Sequence, residues 1–199
     1  MDLIYLASQS PRRAQLLEQL GVRFQKLLPD PDEDAEALEA VHGLEPPARY
    51  VQRVTRLKLD AALERLHRLR LPPAPVLCAD TTVALGPEML GKPDNALDAR
   101  RMLRALSGRS HRVLTAVAVQ HGRRRLQALS VSRVTFATLS AAQIDAYVAT
   151  GEPMGKAGAY AVQGRAAVHI ERISGSYSGV MGLPLRETAL LLRSLGWDL

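Results

Sequence analysis

Residues 111–120 (HRVLTAVAVQ) and 126–137 (LQALSVSRVTFA) flank a turn, HGRRR (121–125), and read as an antiparallel hairpin. Two long strands that return directly on one another do not fit a purely parallel, doubly wound sheet. Upstream, residues 76–79 (VLCA) form a strand that TTVAL (81–85) can continue, and Gly86-Pro87 turns the chain. A helix capped by Asp94 or Asn95 runs to Leu106, and Gly108 ends it. Residues 48–69 make a long amphipathic helix with Val51, Val54, Lys58, Ala61 and Ala62 on one face. Residues 3–7 (LIYLA) are a buried strand. Ser10-Pro11 then opens a helix with an Ala14, Leu17 and Leu20 stripe that stops at Gly21. Residues 22–28 are a second strand, and 29–47 are a loop with at most a short helical piece. Downstream, Ser140 and Gln143 form a capping box for a helix to Val148, and residues 166–173 are a strand. The Gly/Ser-rich loop SGSYSGVMG then leads to a last helix from about Leu185 to Leu195. Strands and helices mix without strict alternation, so the expectation is an α/β or α+β fold with a mixed central sheet flanked by helices, in one domain over 1–199 or at most two small ones.

Composition limits the function classes. The chain has 199 residues, 47% hydrophobic and 23% charged, which is enough for a sizeable core and excludes general disorder. One cysteine, Cys78, excludes a disulfide scaffold, and it reads as a small buried residue rather than a nucleophile. No apolar run approaches the ~18 residues of a membrane span. The opening MDLIYLASQS reads as a strand rather than a signal peptide, so a cytoplasmic protein is expected. The net charge of +6 favours an anionic partner. With two Phe and one Trp there is little to stack single strands on, and Arg123–Arg125 is one basic turn, too little for a nucleic-acid surface.

Five segments carry candidate chemistry. In ASQSPRR (7–13), Arg12 and Arg13 occupy the first helical turn, where the dipole is already positive. A bound phosphate would resolve the conflict, using backbone N–H groups, the hydroxyls of Ser8 and Ser10, and both guanidiniums. The alternative is a solvated helix start. In CADTT (78–82), Asp80 follows an apolar strand, a place suited to metal or base chemistry, or simply to an Asx-turn. The acids Asp30, Asp32, Glu33 and Asp34 supply hard oxygen ligands for Mg²⁺ or Mn²⁺, or form a solvated loop. Lys58 lies on an apolar helix face and needs a partner, while Lys92 (LGKP) and Lys156 (GKAG) lie in loops where a lysine can meet phosphate. Gln163, in YAVQGRAAV, has the donor and acceptor needed to read a base edge, or is a loop amide. Walker A, GxGxxG, HExxH and GxSxG patterns are all missing.

Taken in order, LASQSPRRAQLL, the acidic loop, ADTTV with LGKP, ML..LSG..H.V.T, and GEPMGKAGAYAVQG followed by ISGSYSGVMGLPL resemble the Maf family of septum-formation-associated nucleotide pyrophosphatases. The resemblance implies a two-lobed, inosine-triphosphatase-like architecture with a central cleft. It implies hydrolysis of a nucleoside triphosphate to monophosphate and pyrophosphate with Mg²⁺ or Mn²⁺, in a homodimer. It places the proton acceptor on Asp80 and a second catalytic and metal carboxylate on Glu33. Phosphate positions fall on Ser8, Ser10, Arg12, Lys58, Lys92 and Lys156, and base preference on Arg13, Thr81 and Gln163. SPRR with GAY..QG resembles the subgroup that prefers dTTP and UTP rather than 7-methyl-GTP. Ala161-Val162 departs from that pattern. The competing classes are a nucleotide-binding module linked to cell division and a purine-directed housekeeper. Tyr147, Val148 and the 176–183 loop are candidate interface residues.

Overall fold

The computed structural model describes residues 3–30, 33–34 and 37–199. Asp32, one of the four acids above, lies outside the described residues. In chain order the strands are β1 (Ile4–Leu6), β2 (Phe24–Lys26), β3 (Val76–Leu85), β4 (Glu88–Leu90), β5 (Ser110–His121), β6 (Arg124–Phe136) and β7 (Ile170–Ser174). The helices are α1 (Pro11–Gln19), α2 (Pro47–Arg68), α3 (Ala96–Leu106), α4 (Ala141–Ala149), α5 (Tyr177–Met181) and α6 (Leu185–Ser194), with 3₁₀ turns at Ala37–Glu39, Ala157–Ala159 and Arg165–His169.

The expected hairpin is the spine of the sheet. β5 and β6 pair in unbroken register from Ser110↔Thr135 to His121↔Arg124. The full order is β2-β1-β3-β5-β6-β7, with β4 on β3. β1 runs parallel to both β2 and β3, and every other pair is antiparallel. The sheet is therefore mixed, as the hairpin predicts.

One edge of β3 pairs with β5 from Val76 to Ala84. The opposite edge pairs with β1 only at Val76 and Leu77, and with β4 only from Val83 to Leu85. Between them, among the described residues, no strand pairs with 78–82 on that side. This gap lies where β1 ends at its carboxyl end, the place where open α/β sheets accept ligands.

Strand alternation sorts the core into two layers. Leu77, Ala79, Val83 and Leu85 of β3 join the large cluster built with α1, α3, α4 and α6. Val76, Cys78 and Ala84 face the other way, onto Leu59, Ala62 and Val51 of α2. Local chemistry explains the helix ends. Asn95 caps α3 by accepting from Leu97 N and Asp98 N. Ser140 and Gln143 make both bonds of the capping box on α4.

Several expectations change. The 22–28 strand shortens to Phe24–Lys26. β4 has only three residues, too few for an alternation signal, and is set by the turn after β3. Residues 165–169 are a 3₁₀ turn, so β7 begins at Ile170 rather than at 166. The Gly/Ser-rich loop contains α5, because the Ser176 side chain accepts from Gly179 N and starts a turn of helix despite the glycines. Ser10 stands at the N-cap of α1, but its side chain makes no capping bond. Tyr147 and Val148 are 4% and 7% exposed and belong to the core, which removes them as interface candidates. The apolar pattern of so short a helix does not distinguish a core face from an interface.

Candidate active site

A cleft of about 880 Å³ opens over the unpaired edge of β3, a volume suited to a nucleotide-sized ligand. Its floor is residues 79–83. One wall comes from α2 with Pro29, Glu33, Asp34, Leu38 and Glu39, the other from the start of α1, residues 155–163 and residues 180–182. Alternation along β3 points Asp80 toward α2 and Thr81 toward α1.

Asp80 is 7% exposed, and its carboxylate accepts from Lys58 Nζ at 2.5 Å. Lys58 thus finds the partner its apolar helix face demanded. The same ammonium donates to Glu39 Oε1 at 2.7 Å. Lys92 Nζ donates to Glu39 Oε2 at 3.0 Å. Charges alternate along this chain: Asp80, Lys58, Glu39, Lys92. Burial alone would raise the Glu39 carboxyl, but Lys58 and then Lys92 more than reverse it, so it lies below the usual carboxylate range. The backbone around Glu39 is fastened to α2. Tyr50 OH donates to Glu39 O at 2.9 Å, and Arg53 donates to Ala40 O at 2.8 Å. Burial first, then the charges of Asp80 and Glu39, push the Tyr50 phenol up to about 12, so it stays a neutral donor.

On the opposite wall, the two arginines of α1 find acceptors at the carboxyl end of α5. Arg12 Nε donates to Met181 O at 3.2 Å and Arg13 Nε to Gly182 O at 2.8 Å. Carbonyls that end a helix are its negative pole, which offsets the misplaced cations of α1. Burial lowers the pKa of Arg13, and the charge of Asp80 opposes that shift. Arg13 also donates to Ser8 Oγ at 3.2 Å and to Thr81 Oγ1 at 3.5 Å. Ser8 Oγ accepts a second bond from Ser10 N, so its lone pairs are used and its O–H remains a donor toward the cleft. Thr115 Oγ1 donates to Gly179 O at 2.7 Å, so Thr81 is the donor in the 2.9 Å Thr81–Thr115 contact. Lys156 Nζ donates to the Glu152 carbonyl at 2.6 Å. Gln163 is exposed at the cleft's rim.

Glu33 lines the cleft, but its carboxylate is engaged by two arginines of α2. It accepts from Arg65 Nε at 3.0 Å, from Arg65 Nη2, and from Arg68 Nη2 at 2.6 Å. Arg65 is 4% exposed, so this pair is partly buried. The carboxylate that meets Lys58 beside Asp80 is Glu39. The Arg65 hydrogen bonds hold the Glu33 carboxyl below its ordinary value of 4.5. A depressed carboxyl adds stability above its unfolded pKa and loses it as pH falls through the folded one. Glu33→Gln is therefore expected to cost about 2 kcal/mol at neutral pH, because it leaves Arg65 without its counter-charge. Below about pH 4 the difference from the parent chain should shrink. Urea titrations at pH 7 and pH 3.5 measure both, and equal midpoints at pH 7 would show that the pair holds nothing.

Ser8, Ser10, Arg12, Arg13, Glu33, Lys58, Asp80, Thr81, Lys92, Lys156 and Gln163 all line this one cleft. Three features of the site have no counterpart among the sequence motifs: Glu39, the Tyr50 anchor, and the α5 carbonyls. Glu39 sits just past the run of four acids, and its 19-residue separation from Lys58 gives no local signal. Cys78 is fully buried and burial pushes its thiol up to about 12, which fits the expected inert residue.

A family model described as Maf-like protein matches residues 3–195.

The chain belongs to the Maf-like family.

Three relatives match this chain over nearly their whole length. A protein of Polaromonas sp. is 74% identical over 98% of this chain and 96% of its own. One of Albidiferax ferrireducens is 66% identical over 98% of both. One of Cupriavidus pinatubonensis is 62% identical over 96% of both. All three are named dTTP/UTP pyrophosphatase. Among solved structures, the Staphylococcus aureus Ham1 protein superposes with a TM-score of 0.52 at 12% identity, over 97% of each chain. At that identity the likeness speaks for the fold alone.

Proposed function

We propose that this chain hydrolyses dTTP and UTP to the nucleoside monophosphate and pyrophosphate. The observation that carries the reading is a carboxylate, Asp80, on the floor of a nucleotide-sized cleft whose walls supply Arg12, Arg13, Lys58, Lys92 and Lys156. The names of the relatives support the substrate pair. Water attacks the α-phosphorus, the bond from α-phosphorus to the bridging oxygen breaks, and pyrophosphate leaves with that oxygen. Asp80 accepts the proton of the water. The cations offset the charge that grows on the leaving pyrophosphate. Ser8 and Ser10 donate to phosphate oxygens, while Arg13 and Thr81 shape the base end and Gln163 reads the pyrimidine edge.

A divalent cation fits the two carboxylates beside Lys58. Asp80 and Glu39 already hold one cation, Lys58, between two carboxylate oxygens. Among the described residues no group of three or more His, Cys, Asp or Glu converges. Mg²⁺ and Mn²⁺ are commonly held by one or two carboxylates, with substrate phosphates and water completing the shell. Asp80 and Glu39 would hold the ion, with Glu33 joining only on release from Arg65 and Arg68. Once bound, the ion would polarise the phosphoryl group and acidify a water.

No helix of the described chain is long and apolar enough to cross a membrane. We further take the protein to be cytoplasmic, to act on free nucleotides rather than nucleic acid, and to assemble as a dimer of identical chains.

The test is pyrophosphate release from dTTP, UTP, CTP, GTP and 7-methyl-GTP, with and without Mg²⁺ or Mn²⁺. Metal-dependent release from dTTP and UTP is expected. In Gln163→Ala the preference for dTTP over CTP should fall about tenfold, with thermal stability unchanged. Release from none of the five, or from 7-methyl-GTP alone, would overturn the reading.

A further inference from the structure

Gln163 stands on a short loop between two 3₁₀ turns, and a loop amide discriminates between bases only if its backbone is fixed. The residues two positions before and two positions after it hang from the same unit. Ala161 N donates to Tyr147 OH at 3.3 Å. Arg165 N donates to Glu152 Oε2 at 3.0 Å, and Ala166 N to Glu152 Oε1 at 3.4 Å. Tyr147 OH closes the circuit by donating to Glu152 Oε1 at 2.8 Å. The backbone carbonyl of Glu152 also receives Lys156 Nζ. One residue therefore touches the base-reading loop through its side chain and the phosphate-facing lysine through its main chain.

The chain makes room for this carboxylate. A Cβ on Gly164 would lie 2.4 Å from Glu152 Oε1 and 2.5 Å from Cδ and Oε2. The backbone there, φ −103° and ψ −155°, is extended and open to any residue. Glycine is needed at 164 because Glu152 lies against it, not because of its torsion angles. Burial would raise the Glu152 carboxyl, but Arg165 N, Tyr147 OH and Ala166 N together hold it below the usual range, so it stays an acceptor at neutral pH.

We infer that Glu152 is a positioning residue that sets base discrimination by fixing the Gln163 loop, with Gly164 as its seat. The inference rests on the assignment of Gln163 as the base reader. The loop keeps its place in the fold by other means, since Ala166 is fully buried and Tyr160 bonds His111 Nε2 at 2.8 Å within the core. Variants at 152 are therefore expected to fold.

The experiment measures kcat and KM for dTTP and CTP in the full chain, and affinities for both nucleotides by calorimetry. Glu152→Gln cannot accept all three bonds, because one carboxylate oxygen becomes an NH₂ donor. It should raise KM for dTTP and lower discrimination against CTP, each about tenfold, with kcat changed much less. Gly164→Ala should reproduce this effect by displacing the carboxylate. In Glu152→Ala the clash is gone, so adding Gly164→Ala should cost nothing further. Wild-type discrimination in Glu152→Gln would overturn the inference. So would a lower thermal midpoint with an unchanged dTTP:CTP ratio, or independent effects of the 152 and 164 changes. A parent chain that hydrolyses neither dTTP nor UTP refutes the proposed function instead, and the calorimetric ratio still reads the role of Glu152.

Discussion

Asp80→Asn is expected to fold, to bind nucleotide, and to lose about 10²–10⁴-fold in turnover. Asparagine has the same shape and keeps an oxygen for Lys58 Nζ. What it loses is the capacity to take a proton and half of the charge shared around Lys58. In most buried ion pairs the surviving partner would be stranded at a cost of several kcal/mol. Here Lys58 keeps Glu39 at 2.7 Å, so the ammonium remains paired. Arg13 loses a supporting charge, but its bonds to Gly182 O, Ser8 and Thr81 stay in place. Pyrophosphate release and a thermal melt on the same preparation separate the outcomes. Near-native turnover would remove Asp80 from the chemistry. A melt lowered by more than about 10 °C would make the Asp80–Lys58 pair a structural element first.

Gly158→Ala should have the largest effect on stability, about 3 kcal/mol, read as a fall of roughly 6–12 °C in the melting midpoint. Gly158 has φ +70°, where a side chain costs about 1–2 kcal/mol. A Cβ there would also meet Val83 Cγ1 at 2.9 Å, Cγ2 at 3.0 Å and Cβ at 3.1 Å. Val83 has no room to retreat, since it is 2% exposed and pairs with β4 on one side and β5 on the other. The damage should reach the cleft. Gly158 N donates to Gly91 O at 3.0 Å, so this glycine ties the loop before Lys92 to the loop after Lys156. KM for nucleotide should rise with the loss of stability. Gly155→Ala is the control, because Gly155 has φ +71° but nothing within 4 Å of its Cβ position. It should cost only the torsional part. Equal shifts in the two variants would mean that contact with Val83 is unimportant.

These variants also mark what can be read from residue order. The hairpin is legible because apolar alternation over ten or more residues on each side of a turn fits little besides two paired strands. The capping box on α4 is legible because its partners are three residues apart. Lys58 is legible as a problem: a charge on an apolar face needs a partner. The solution is not, because Glu39 lies 19 residues before it and Asp80 22 residues after it. The first-turn arginines are likewise legible as a conflict, which local chemistry resolves only with a bound anion. In the structure, carbonyls 169 residues away relieve part of it. The place of Glu33 in the acidic stretch points to the cleft. Its actual partner, Arg65, follows 32 residues later on α2, and no spacing rule links them. Glu152 is silent in the sequence because the groups it binds include backbone amides, which carry no residue identity. Side-chain pairs distant in sequence, and side chains bound to main chain, are the two kinds of contact that residue patterns do not record.

The tie between α1 and the end of α5 has a consequence for the growing chain. The helix that carries Arg12 and Arg13 is synthesised before every strand but β1. Its two guanidiniums have no Met181 and Gly182 carbonyls to bind until all seven strands have been made. A nascent polypeptide on the ribosome can already hold Asp80, Lys58 and the complete hairpin, yet one wall of its cleft is unsecured. That wall closes only once residues 181 and 182 have been added, so a chain interrupted before them lacks the acceptors that seat Arg12 and Arg13.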